Sequence, residues 1–153
     1  MMSDSVSAED LVGAWELDTW QIRYADGRIT HPFGTDAFGL IIYSADGRMS
    51  ACIAARGRQP LDHADVRRAP AGQQAAAFAS YFSYAGRYDV ADGVATHHVE
   101  VALNPAFVGT RQRRRIALTG RELELSAAES GPGGSRRHIL RWRRPGAAPP
   151  GAA

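Results

Sequence analysis

Two-residue turn signals divide this chain into short alternating segments. Asp-Gly occurs at 26–27, 46–47 and 92–93, and Thr-Gly at 119–120. Each lies between runs in which apolar and polar residues alternate, the pattern of a β-hairpin. The spacing predicts strands at 13–24, 28–33, 38–44, 48–55, 86–91, 94–103, 110–118, 121–126 and 136–143, eight long ones and a short piece. An antiparallel meander of that size must protect its edges, and closure into a barrel does so. The expected fold class is all-β, an up-and-down antiparallel β-barrel.

Two segments interrupt the rhythm. Ser7-Ala-Glu-Asp10 before Leu11 reads as a capping box opening a one-turn helix. Residues 72–85 are rich in helix formers, and Phe78, Tyr81, Phe82 and Ala85 fall at helical spacing, which predicts an inserted helix. The stretch from Arg56 to Ala71, with Pro60 and Pro70, reads as loop. The 153 residues suit one domain with a sizeable core. The expected division is an N-terminal segment over 1–10, a barrel over 11–144 and a disordered Pro/Gly/Ala tail over 145–153.

Alternation also sorts side chains by face. In the first strand Trp15 and Leu17 share a phase that switches to Trp20, Ile22 and Tyr24, which predicts a bulge near Thr19. His97, Val99, Val101 and Leu103 share one face of their strand. Gln112, Arg114, Ile116 and Leu118 share the more apolar face of theirs, leaving Arg111, Arg113 and Arg115 outside.

All 18 basic residues are arginine, against 16 acidic residues. Without lysine, Schiff-base chemistry and lysine nucleophiles are excluded. The pI near 9.0 raises the question of nucleic acid. The phases argue against it: arginines 111, 113 and 115, Glu122 and Glu124, and arginines 137, 141 and 143 form alternating outer columns suited to cross-strand pairing. Arg114 is the exception, an inward arginine among apolar neighbours. It is either tied to an internal carboxylate or backbone carbonyls, or lines a cavity and meets a carboxylate, enolate or carbonyl oxygen of a ligand.

His97 and His98 are adjacent on a strand, so they face opposite sides and cannot share a metal; no metal site is expected. His97, inward, is either a hydrogen-bonded core histidine or a cavity acid/base or donor. Cys52 excludes an internal disulfide and reads as a small core residue. No Gly-x-Ser-x-Gly elbow or phosphate loop is present. Among Tyr43, Tyr81, Tyr84 and Tyr88, one or two could present a hydroxyl to a ligand. The N-terminus lacks the basic and apolar regions of a secretory signal, and the longest apolar run is too short for a membrane helix. A cytoplasmic location without membrane association is expected.

Several stretches carry a family resemblance: Leu11-Val-Gly-Ala-Trp15, Ala25-Asp-Gly-Arg28, Tyr43 to Ser50, Tyr84-Ala-Gly-Arg-Tyr88, Thr96-His-His-Val-Glu100 and Asn104 to Thr110. Gly13-x-Trp15 after a one-turn helix resembles the lipocalin signature, and the ordered set resembles the bacterial and fungal lipocalin-like domain family. The resemblance implies a barrel around a small-molecule cavity, with Gly13 and Trp15 structural and Trp15 plugging the closed end. It also implies an arginine from a late strand covering Trp15. Arg141 and Arg143 are near the right place but outward in phase, so that partner stays unassigned.

Two functions follow. The first is a binding barrel for a small hydrophobic molecule, anionic or carbonyl-bearing, lined by His97, Gln112, Arg114, Tyr43, Tyr88, Val99 and Val101. The second is a cofactor-independent isomerase or cyclase of a natural-product pathway, with His97 and Arg114 catalytic in the same cavity. Neither requires a cofactor or nucleic acid. The oligomeric state is not legible.

Overall fold

The computed structural model describes residues 5–146. Eight long antiparallel strands and one short one follow in chain order: β1 (Gly13–Tyr24), β2 (Ile29–Thr30), β3 (Phe38–Tyr43), β4 (Arg48–Ala54), β5 (Tyr81–Ala91), β6 (Val94–Ala102), β7 (Arg111–Thr119), β8 (Glu122–Gly131) and β9 (Gly134–Arg143). Each long strand pairs with the next, and β1 also pairs with β9, which closes an eight-stranded barrel. The short β2 pairs only with the far end of β1. At Asp92-Gly93 both residues have positive φ, 53° and 75°, the backbone of a tight two-residue hairpin turn. The tail expected over 145–153 lies, from residue 147 onward, outside the described residues.

Helix α1 (Ala8–Leu11) opens as expected: the Ser7 amide and hydroxyl both donate to the Asp10 carboxylate. Helix α2 (Ala71–Ala79) is shorter than the residues 72–85 expected from the apolar stripe. Tyr81 to Ala85 instead continue β5, in register with Ala54 to Ser50 of β4. Edge pairing satisfies five residues of backbone there and turns Phe82 and Tyr84 inward, which outweighs the local helical spacing. Hairpin β8–β9 is likewise longer than expected, with Gly131 opposite Gly134.

The bulge expected near Thr19 is present, between Leu17 and Thr19 against β9. A second bulge lies between β5 and β6. Ala85 faces Val101 and Gly86 faces Val99, so Glu100 is the extra residue. The inner phase of β6 therefore ends at Val99. Val101 points outward and is 62% exposed, which corrects its expected place among the cavity residues. Cys52 is also corrected: it is half-buried on the outer face of β4, while Ala51 and Ile53 face inward.

Trp15 is buried at the closed end beneath α1, its indole N–H donating to the Leu11 carbonyl at 2.9 Å. The residue that covers it is Arg144, just past β9, whose guanidinium stands 3.7 Å from the ring centroid. Arg144 also donates to the Asp10 carbonyl, and its amide to the Arg121 carbonyl. Gly13 makes room for this latch. Its φ is +115°, and a Cβ there would lie 2.7 Å from the Arg144 guanidinium. Gly13→Ala is expected to cost about 1–3 kcal/mol through that backbone conformation alone. The urea midpoint measures it, and an unchanged midpoint would show that position 13 carries no such backbone strain.

Outside, Arg141 pairs with Glu124 at 3.2 Å, Arg143 with Asp18 at 3.4 Å, and Arg48 and Arg87 share Glu100. Arg111, Arg113 and Arg115 do not join the expected columns. The register sets Glu124 opposite Ala117 and Glu122 opposite Thr119, and no carboxylate lies within 4 Å of those three among the described residues. The pairs are exposed and each contributes little to stability. No described helix is long and apolar enough to cross a membrane.

Candidate functional site

The barrel encloses a cavity of about 390 Å³. Ile41, Ile53, Phe82, Phe107, Leu125 and Leu140 supply much of its apolar wall, drawn from the inner phases of β3, β4, β5, β8 and β9 and the turn at Pro105–Phe107. Trp20 and Trp142 border it as well.

His97, Gln112 and Arg114 come together on one wall, because His97 faces Gln112 across β6 and β7 and Arg114 is one inward step further along. His97 is 1% exposed and held from both sides. The Tyr43 hydroxyl lies 2.7 Å from Nε2 and the Tyr84 hydroxyl 2.7 Å from Nδ1. Burial, with the charge of Arg114 and then His98, pushes its pKa down to about 3, so the ring is neutral near pH 7. Burial likewise raises both tyrosines above the ordinary phenol range.

Among the described residues Arg114 meets no carboxylate. It donates to its neighbour's carbonyl, that of Arg113, at 2.9 Å and to the Gln112 side-chain oxygen at 3.4 Å. Gln112 donates in turn to the Thr110 hydroxyl at 2.9 Å, which is anchored on the Phe107 carbonyl. Guanidinium carries five N–H donors, so this tethering leaves donors for a guest. Arg114 is thus tied to a backbone carbonyl and also lines the cavity.

The remaining expected site residues lie elsewhere. Tyr43 sits behind His97, off the cavity wall. Tyr88 packs edge-on against Tyr43 with centroids 4.7 Å apart and donates to the Ser44 carbonyl. Val99 is buried in the core cluster.

Three further groups, Glu129, Arg136 and His138, line the cavity beside Trp20 toward the open end. The Trp20 N–H donates to His138 Nδ1 at 3.3 Å, so the His138 proton sits on Nε2, from which Glu129 accepts at 3.1 Å. Arg136 donates to the same carboxylate at 2.6 Å. These two hydrogen bonds, Arg136 first, hold the Glu129 pKa below the usual carboxylate range. The period of two counted back from Leu140 and forward from Leu125 places His138 and Glu129 inward. Tyr84 would follow from the alternation of β5 once its start is moved to Tyr81.

The family model for a lipocalin-like domain matches residues 12–145. The chain belongs to that family. Its lipocalin-like barrel is 34% identical over 80 residues to the 4'-hydroxy-3'-methoxypropiophenone carrier protein ppsC of Aspergillus oryzae, a match that takes in 46% of this chain and 72% of the relative. A crystal structure of an uncharacterized protein from Bacteroides eggerthii resembles it at a TM-score of 0.45 and 15% identity, over 86% of this chain and 98% of the other.

Proposed function

We propose that this lipocalin-like barrel binds a small hydrophobic molecule that carries a hydrogen-bond acceptor, a carbonyl or an anionic group. The observation that carries the reading is the cavity itself. Its volume of about 390 Å³ falls in the range of ligand sites, roughly 300–1,000 Å³. Its wall is apolar except for clustered polar groups, and Arg114 offers unused donors there. The name of the fungal relative specifies an aryl ketone, a hydroxy- and methoxy-substituted ring bearing a carbonyl, and that carbonyl is an acceptor such a wall would take. The half-buried, unpaired Cys52 suits a reduced, cytoplasmic setting.

Native mass spectrometry of protein purified from its source tests the reading. A bound small molecule, released unchanged on denaturation, is the expected result. A bare chain that also ignores added aryl ketones would sink it. Arg114→Met is expected to weaken binding of an acceptor-bearing ligand roughly 10- to 100-fold, as loss of a charged hydrogen bond does. Its stability should stay within about 1 kcal/mol, since the charge leaves no buried partner behind. Unchanged affinity with unchanged stability would remove Arg114 from the site.

A cofactor-independent isomerase or cyclase is the second reading, favoured by the hydroxyl–imidazole–hydroxyl contact at His97. A general base works best with a pKa near the working pH, and about 3 is far below it. Turnover of a bound ketone or polyene by the purified protein would reverse that order.

A further inference from the structure

The contact of His97 with two tyrosines has a direction. A neutral imidazole carries one N–H, so it donates to one hydroxyl and accepts from the other. The hydroxyl that accepts keeps its own hydrogen for a third group. Among the described residues neither the Tyr43 nor the Tyr84 oxygen has a hydrogen-bond partner other than His97. One tyrosine hydrogen is therefore surplus, and the two arrangements differ in where it lies.

With the proton on Nε2, His97 donates to Tyr43, and the surplus hydrogen belongs to Tyr43. That side chain is 0% exposed and off the cavity wall, so the hydrogen has neither water nor ligand to meet. Leaving that buried donor unsatisfied disfavours this arrangement roughly 5- to 150-fold. With the proton on Nδ1, Tyr43 donates to Nε2, His97 donates to Tyr84, and the surplus hydrogen belongs to Tyr84. Tyr84 borders the cavity and can offer it to a guest.

We infer that Tyr43, His97 and Tyr84 form a one-way hydrogen-bond chain that ends in the Tyr84 hydroxyl as a donor to the cavity. The inference rests on the cavity reading above and sharpens it: the guest is a neutral or anionic oxygen acceptor, recognised by Tyr84 together with Arg114. Tyr43 acts only through His97 and is a positioning residue. Its burial selects the tautomer, because no other arrangement leaves every sealed donor satisfied. A guest whose sole polar group is a donor would gain nothing from this wall.

Two measurements test the chain. Nitrogen-15 NMR of the wild-type imidazoles is expected to place the His97 proton on Nδ1, the minor tautomer of free histidine; a proton on Nε2 overturns the inference. Calorimetric titration then compares propiophenone with n-propylbenzene, which has a similar shape without the oxygen. The wild type is expected to prefer the ketone, and Tyr84→Phe to cut that preference roughly tenfold, the scale of one well-placed hydrogen bond. If both probes bind and the preference survives in Tyr84→Phe, the donor role fails while the cavity reading stands. If neither probe binds the wild type, the cavity reading fails and carries this inference down with it, whichever tautomer the spectrum gives.

Discussion

Lowering the pH from 7 to 4 will destabilise this protein more steeply than its carboxylates alone account for. His97 is the reason. Its pKa is about 3 in the folded chain against an ordinary 6.5. Between those values the unfolded chain holds a proton that the folded one refuses, so stability is intact above pH 6.5 and falls as pH drops toward 3. The slope is about 1.4 kcal/mol per pH unit. By pH 5 the loss is about 2 kcal/mol, and below pH 3 roughly 4–5 kcal/mol, a large part of the 5–15 kcal/mol typical of a domain. The neighbours do not offset this: Tyr43 and Tyr84 are pushed to higher pKa and stay neutral, and the charge of Arg114 opposes protonation. Urea unfolding at half-unit pH steps, on the wild type and His97→Gln, isolates the effect. Glutamine keeps one donor and one acceptor without a titration, so the slope between pH 4 and 6 should flatten by close to one proton. Equal slopes in the two proteins would refute the account.

Gly86→Ala is expected to be the most damaging single-methyl change in the barrel. Gly86 sits where β5 meets the bulge of β6, and a Cβ there would overlap the His98 carbonyl oxygen and lie 3.0 Å from the Glu100 amide. Both are backbone atoms in a paired strand, so relief requires the two strands to separate. We expect a loss of at least about 3 kcal/mol, the top of the usual overpacking range. The urea midpoint checks this, and a loss under about 1 kcal/mol would mean that the bulge is loose. Moving β6 also moves His97, so any surviving folded protein should show altered imidazole resonances.

Much of the barrel was legible because its evidence is local. Asp-Gly turns and alternating phases are read over a few residues, and they placed His97, Gln112 and Arg114 on one inner wall. The errors arose where a distant pairing decided the outcome. Tyr81 to Ala85 share helical spacing with Phe78, and only their match to β4 makes them strand. That misplacement left Tyr84 one of four candidate hydroxyls, with no inner face assigned to it. Val101 keeps the phase of Val99 in sequence, and only the extra residue Glu100 opposite Gly86 turns it out. Glu129 fell beyond a strand expected to end at Ser126, whereas β8 runs on to Gly131. Arg144 escaped because it lies past the last alternating residue, so no phase assigned it to Trp15.

The pairing of β1 with β9 has a consequence in time. Trp20 faces Leu140 across that seam, and Trp15 meets Arg144 near its end. A ribosome adding about 5–20 residues per second needs roughly 6–24 s to travel those ~120 residues. Through that interval β1 carries Trp15, Leu17 and Trp20 with no partner along one edge. Closure is therefore the last step in building this barrel, and the nascent chain offers a sticky, half-built wall to chaperones or to neighbouring chains until Arg144 has emerged.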